Sequence, residues 1–144
     1  MPVLPSPVVE ELDPAPDVVN SLAAVAHHSD VLLLESVRRE QALGRYSFLT
    51  ADPRRQFILE EPEFGIDPFA DVRAALADFP ADAVPELPPF QGGAAGLLSY
   101  ELGRCWEQLP APETDELLIP AMTVGIYDWV LAWDHSVDKA WLIA

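Results

Sequence analysis

The sequence is poor in cysteine and in positive charge, and each shortage excludes a class of protein. Its 144 residues include one cysteine, Cys105, so no disulfide can form within the chain, which is typical of proteins from a reducing cytoplasm. Only 8 residues are lysine or arginine against 24 aspartates and glutamates, giving a net charge of −16. Because phosphate backbones and anionic lipids repel such a chain, we expect neither nucleic-acid nor membrane-surface binding.

Long hydrophobic runs are also missing. No stretch reaches the roughly 18 consecutive apolar residues of a membrane span, and the N-terminus lacks the basic region of a signal peptide. Glycine is scarce at 7 residues, whereas proline is frequent at 15, which favours stiff connections over flexible linkers. Prolines in the first sixteen residues predict an extended segment. With 50% hydrophobic residues the chain has a globular composition and can bury a core.

Two segments have the spacing of amphipathic helices. In the first, Asp17 is a candidate N-cap, and Val18, Leu22 and Val25 follow on one stripe. In the second, Asp67 is the candidate cap and Pro68 the first helical residue, with apolar residues following at helical spacing: Phe69, Val72, Leu76 and Phe79. A further helical turn is predicted at residues 103–109.

Apolar and alternating runs predict strands for much of the remaining chain. Residues 31–36, 45–52 and 55–60 form three such runs, and the polar segment 37–44 connects the first two. Short turns between them indicate hairpins or a meander. Residues 122–135 predict one long aromatic strand.

The last residues, 140–144, predict a return strand with an apolar edge. Natural domains avoid a bare apolar edge because it promotes aggregation. The simplest interpretation is a fragment, whose sheet another part of a larger protein completes. We therefore predict an α+β fold, a mostly antiparallel, twisted sheet with flanking helices, incomplete without a further domain.

The glycine-rich stretch at residues 92–100 has two interpretations. Glycine in a strand marks close backbone approach, so the stretch could abut another domain. Alternatively, its small residues let a helix pack on the sheet, which is the interpretation we prefer. It is not a phosphate-binding loop, because the Gly-Lys-Ser/Thr ending is absent.

Catalytic signals are weak throughout the chain. Adjacent His27 and His28 would diverge on a helix, whereas metal-binding histidine pairs are spaced by three or four residues. His135 beside a turn indicates a surface histidine, and no serine lies in a G-x-S-x-G setting. Cys105, with no base nearby in sequence, indicates a buried and inert thiol. The residues alone therefore predict no catalytic, metal or cofactor site.

Three segments, read together, resemble a known family. They are LLLES at 32–36 followed by GRYSFLTADP at 44–53, then PPFQGGAAGLLSYELGRCWEQLP at 88–110, and GIYDWVLAWDH at 125–135. In order and spacing they resemble the N-terminal domain of the large components of anthranilate synthase and aminodeoxychorismate synthase, from about residue 10 to the end. The third segment looks like the para-aminobenzoate branch. The domain would then be residues 1–144, without its catalytic C-terminal neighbour.

The resemblance implies an enzyme that adds ammonia to chorismate with Mg²⁺, giving 4-amino-4-deoxychorismate for folate synthesis. A glutamine amidotransferase subunit would supply the ammonia, and a C-terminal domain of roughly 250–300 residues would bind chorismate and metal. No motif of that domain occurs here, so no catalytic residue or metal ligand is assigned to this chain, which we expect to be inactive alone. Its role would be scaffolding or regulation.

The resemblance also implies a ligand pocket. In tryptophan-regulated relatives the Leu-Glu-Ser motif lines a site for the feedback amino acid, and here that motif is Leu34, Glu35 and Ser36, with Tyr46 and Ser47 on the neighbouring strand. A carboxylate can pair with an ammonium group and apolar walls can hold an indole. Alternatively, Glu35 and Ser36 only end a strand. Two other functions stay open: the same part of an anthranilate synthase with a tryptophan pocket, or a free-standing amino-acid-binding module.

Overall fold

A computed structural model describes residues 6–38, 43–80 and 82–144 and has an α+β fold of antiparallel sheets with short helices. The helices are α1 (Val18–Val25) and α2 (Ala70–Ala77), and a 3₁₀ helix spans Tyr100–Cys105. The strands are β1 (Val9–Leu12), β2 (Leu32–Leu34), β3 (Tyr46–Thr50), β4 (Arg55–Leu59), β5 (Gly93–Leu98), β6 (Met122–Tyr127), β7 (Val130–Asp134) and β8 (Lys139–Ile143).

The larger sheet has five strands in the order β1-β8-β7-β3-β2. The last strand, β8, lies between β1 and β7, and Ala140 and Ile143 in it are fully buried. The predicted bare edge at residues 140–144 is therefore wrong. The extended segment expected from the early prolines supplies the missing neighbour, because β1 pairs with β8 along its whole length.

The smaller sheet has three strands in the order β4-β6-β5, so the described residues form two sheets where one was expected. The predicted long strand at 122–135 is divided at Asp128 and Trp129, and its halves, β6 and β7, pair in different sheets. A hydrogen bond of 2.6 Å from the Thr50 hydroxyl to the Trp129 carbonyl holds the chain where it changes sheets. The third predicted run, now β4, pairs with β6 rather than continuing a meander from β3.

Helix α1 forms as predicted. The Asp17 carboxylate accepts a hydrogen bond of 2.8 Å from the Asn20 N–H, and Val18 packs with Leu22 against Leu49 of the larger sheet.

Helix α2 begins at Ala70, two residues after the predicted start at Pro68. The Asp67 side chain accepts from the Phe69 N–H at 3.0 Å, so it stabilises the turn before the helix. Val72 of this helix packs against the smaller sheet.

Four further local predictions have mixed outcomes. His27 and His28 do not diverge, because the helix ends before them and their ring centroids lie 4.2 Å apart in a turn. The predicted helical turn at 103–109 forms earlier, as the 3₁₀ helix. The thiol of Cys105 is buried, as predicted. The predicted loop at 37–44 lies partly outside the described residues.

None of the helices in the described parts of the chain has the length and apolar character needed to cross a membrane.

Candidate functional site

An apolar groove lies where the two sheets approach each other and encloses about 450 Å³. Strands β2 and β3 form one wall, and strand β5 with the start of α2 forms the other. The lining side chains are almost wholly apolar and comprise Leu34, Phe48, Phe69, Val72, Phe90, Ala94, Ala95, Gly96, Leu98 and Val124.

The predicted pocket residues Leu34, Glu35 and Ser36 lie at the end of β2. Leu34 is the last residue of the strand and lines the groove, while Glu35 and Ser36 follow it as exposed residues. Gly44 passes so close to this segment that a Cβ atom there would lie 1.9 Å from the Arg38 carbonyl oxygen and 2.9 Å from the Ser36 Cβ. Only glycine is therefore accommodated at the point where the chain returns toward β3.

Tyr46 and Ser47 lie on the neighbouring strand as predicted, but on opposite faces of it. Because side chains alternate along a strand, Tyr46 and Phe48 share the groove face, with ring centroids 6.1 Å apart. Phe48 is also the register partner of Leu34. The structure thus brings Leu34 and Tyr46 to the same region and separates Ser47 from them.

Ser47 is fully buried on the α1 side of the sheet, where its hydroxyl lies 2.8 Å from His135 Nε2. His135 is therefore packed against the strand rather than free on the surface. Next to it, the Arg45 guanidinium donates to both carboxylate oxygens of Asp134 at 2.6–3.1 Å. Hydrogen bonds from Arg45 first, and from Ser136, lower the pKa of Asp134 to about 2 despite its burial.

The groove suits an aromatic ring or an apolar chain, since its walls offer few hydrogen-bonding groups. Phe48 and Phe90, whose rings meet edge to face at a centroid distance of 5.7 Å, were not among the predicted site residues. The alternation that places Tyr46 on this face also identifies Phe48. Nothing local in the sequence identifies Phe90, because it reaches the groove from a distant segment.

The described residues do not bring three histidine, cysteine, aspartate or glutamate side chains together as ligands for a metal ion. The magnesium ion implied by the resemblance is assigned to none of these described residues, and no chemical step is derived through it.

Comparison with curated proteins shows what the chain is similar to. No family model matches the chain. Aminodeoxychorismate synthase component 1 of Salmonella typhimurium is 32% identical over an alignment of 152 residues, covering 96% of this chain and 34% of that protein. The same component of Klebsiella aerogenes is 38% identical over 73% of this chain, and anthranilate synthase component 1 of Streptomyces coelicolor is 33% identical over 93% of it. This chain is related to component 1 of these synthases.

The chain spans about a third of the length of the Salmonella relative and about a quarter of the other two. Two of the three segments that resemble component 1 line the groove. Leu34 and Phe48 come from the first segment, and Phe90 and Gly96 come from the second. The third segment begins one residue after Val124, which also lines the groove, and its first residues continue β6 beside β5.

Proposed function

We propose that this chain is the N-terminal, scaffolding part of component 1 of aminodeoxychorismate synthase, which aminates chorismate to 4-amino-4-deoxychorismate. The observation that carries the proposal is its similarity to that component over 96% of its own length, with only 34% of the relative covered. Because almost the whole chain aligns with one part of a synthase, we infer that it forms the corresponding part of such an enzyme. A cytoplasmic location accords with the single buried thiol.

The chemistry is proposed to lie outside this chain. A C-terminal chorismate-binding domain would hold substrate and Mg²⁺, and a glutamine amidotransferase subunit would supply ammonia. Two polar pairs support this assignment, because each joins the start of β3 to the end of β7. Asp134 is held by Arg45, and Ser47 and His135 meet inside the sheet rather than in an open site.

The aminodeoxychorismate branch is favoured over the anthranilate branch by two observations. Component 1 of the Klebsiella aerogenes aminodeoxychorismate synthase is 38% identical to this chain, against 33% for the Streptomyces coelicolor anthranilate synthase, and the segment Ile126–Trp129 followed by Asp134 and His135 looks like the aminodeoxychorismate branch. Tyr127 in this segment is buried, and its hydroxyl donates to the Asp30 carbonyl at 3.0 Å, so it joins β6 to the turn that precedes β2.

The proposal predicts that the pure chain does not consume chorismate in the presence of ammonium and Mg²⁺. A hybrid in which this chain replaces the matching third of the Salmonella typhimurium relative is expected to form aminodeoxychorismate under the same conditions. Product is measured by chromatography, and the relative with its matching third deleted serves as the control. Turnover by the pure chain, or an inactive but folded hybrid, would contradict the proposal.

A second candidate function is the binding of an aromatic amino acid at the groove. The observation that favours it is the apolar groove of about 450 Å³ beside Leu34, with the predicted polar residues Glu35 and Ser36 following directly in sequence. The groove would hold the ring, and the two polar side chains would contact the ammonium and carboxylate groups. This function would suit a regulatory pocket of the anthranilate type or an amino-acid-binding module.

Calorimetric titration of tryptophan tests this second candidate. If the pocket binds tryptophan, replacing Ser36→Ala removes one hydrogen bond and is expected to weaken binding about tenfold, equivalent to roughly 1.4 kcal/mol. Ser6→Ala, a change at an exposed residue outside the groove, is the matched control and should leave affinity unchanged. Absence of heat with the wild-type chain would remove this candidate.

A further inference from the structure

Two adjacent leucines are exposed in the loop between the 3₁₀ helix and β6. Leu117 and Leu118 are 78% and 77% exposed, and Ile119 beside them is 45% exposed. Among the described residues, no other two neighbouring apolar side chains are both so exposed. Single exposed apolar residues are ordinary, whereas a contiguous exposed group is typical of an interaction site.

The loop holds these leucines in a defined conformation. The Asp115 carboxylate accepts a hydrogen bond of 3.0 Å from the Leu118 N–H, and Leu118 has a φ of +49°, which bulky residues rarely adopt. Both ends of the loop are fixed, because Trp106 stacks on Phe69 at a centroid distance of 6.0 Å and Ala121 is buried in the core. A strained backbone held in this way is a feature that functional surfaces share.

Three exposed carboxylates precede the leucines, on Glu113, Asp115 and Glu116. None of the ion pairs among the described residues involves them, since the cations of those pairs contact other acidic side chains. Positive charge near this loop must therefore come from a binding partner. Two exposed leucines beside three negative charges fit an apolar pocket bordered by lysine or arginine.

We propose that residues 113–119 bind a separate protein subunit through such a basic-bordered apolar pocket, and that this subunit is the glutamine amidotransferase of the proposed function. The inference rests on the proposed function, which requires that partner. Complementary charge chiefly accelerates the encounter of proteins that meet by diffusion.

Other occupants fit the loop less well. A covalently attached part of component 1 gains nothing from faster encounter, and the core of a permanent interface is depleted in charge. A second copy of this chain would bring its own net charge of −16 against the three carboxylates.

A double substitution of the leucines tests the proposal in the hybrid with the Salmonella typhimurium relative. With Leu117→Ser and Leu118→Ser together, the Kd for the amidotransferase subunit of the same organism should rise at least about tenfold, measured by calorimetry, because two apolar side chains lose their pocket. The ratio of the glutamine-dependent to the ammonium-dependent rate of amination should fall with it. An unchanged Kd, or a wild-type hybrid that does not bind the subunit, would overturn the proposal.

Val19→Ser is the matched control, since Val19 is an apolar residue of α1, 65% exposed and distant in sequence from the loop. This variant should bind the amidotransferase as tightly as the wild-type hybrid does. Equal weakening by Val19→Ser and by the leucine substitutions would contradict docking at the loop.

The charges are tested by Glu113→Gln together with Glu116→Gln, while Asp115 is kept because it holds Leu118. Association of this variant with the amidotransferase subunit should be slower than that of the wild-type hybrid at low salt, and the two rates should converge as the salt concentration rises. Equal association rates at low salt would contradict a basic border on the partner's pocket.

The outcome is distinguishable from that of the proposed function. A hybrid that aminates chorismate with ammonium, but whose leucine variant binds the amidotransferase normally, overturns the docking and leaves the function standing. A hybrid without turnover whose leucine variant binds the subunit less tightly supports the docking and contradicts the function.

The same leucine variant identifies the other occupants. If the substitutions lower the melting temperature of the hybrid but leave the Kd unchanged, the leucines pack against the rest of component 1 and the proposal is overturned. A wild-type hybrid that sediments as a dimer, and a leucine variant that sediments as a monomer, would identify a second copy as the occupant and overturn it as well.

Discussion

Replacing Asp134→Ala is expected to lower the free energy of unfolding by about 3 kcal/mol, because the change removes a buried carboxylate that accepts several hydrogen bonds, one set of them from a charged group. Asp134 is only 6% exposed and its carboxylate accepts hydrogen bonds from Arg45, from the Ser136 N–H at 3.0 Å and from the Ser136 hydroxyl at 2.6 Å. It thereby joins the end of β7 to the residue before β3 and to the turn before β8. For a chain of this size the melting temperature should fall by about 10 °C, measured by circular dichroism.

The matched control for this prediction is Asp128→Ala. Asp128 also pairs with an arginine, Arg54, but both side chains are well exposed, at 38% and 61%. Surface ion pairs contribute roughly 0–1 kcal/mol, so the control should cost less than about 1 kcal/mol. Equal losses for the two variants would show that burial of Asp134 adds nothing to its ion pair.

The Asp134 carboxylate also makes the stability of the fold depend on pH. Its pKa is lowered from 3.8 to about 2 in the folded state, chiefly by the hydrogen bonds from Arg45. The unfolded chain therefore binds this proton first, so the stabilisation is present above about pH 4 and is lost as the pH falls toward 2. The difference in unfolding free energy between wild type and Asp134→Asn should shrink over that interval by up to roughly 2 kcal/mol.

Local patterns in the sequence predicted the elements better than their partners. Asp17 and the stripe of Val18 and Leu22 identified α1 because capping and helical spacing act within a few residues. The division at Asp128 was missed because both halves of the segment are apolar and buried, so the hydrophobic pattern does not change where the chain passes from one sheet to the other. The partner of β8 was missed because β1 lies at the other end of the chain.

The candidate site was partly predictable for the same reason. The pairing of β2 with β3 followed from two apolar runs with a short connection, and it places Leu34 beside Phe48. Strict alternation along β3 already separates Ser47 from Tyr46. The far wall of the groove depends on how two sheets approach each other, which no local pattern contains.

The glycine-rich strand bears out the preferred interpretation at one glycine and has a further explanation at another. A Cβ atom on Gly93 would lie 3.8 Å from the Leu76 Cδ2 atom, so helix α2 packs on this strand. A Cβ atom on Gly96 would lie 2.0 Å from the Thr123 carbonyl oxygen and 2.8 Å from the Val124 Cα, both in the paired strand β6. Close approach of two neighbouring backbones within the smaller sheet therefore requires glycine here.

Replacing Gly96→Ala is accordingly expected to destabilise the chain by about 3 kcal/mol, at the upper end of the usual cost of overpacking, because the obstacle is backbone rather than a movable side chain. The melting temperature should fall by about 10 °C. Gly103→Ala is the matched control, since a Cβ there would meet only the Leu109 Cδ1 atom at 3.9 Å, an ordinary contact.

Amide hydrogen exchange shows which strands the Gly96→Ala substitution destabilises. In Gly96→Ala the new methyl group forces β5 away from β6, so the amides of both strands should exchange faster. The amides of β7 and β8 in the other sheet should exchange at their wild-type rates. Uniform acceleration through both sheets would show that the two unfold as one unit. A Gly96→Ala chain as stable as the Gly103→Ala chain would contradict the close approach of β5 to β6.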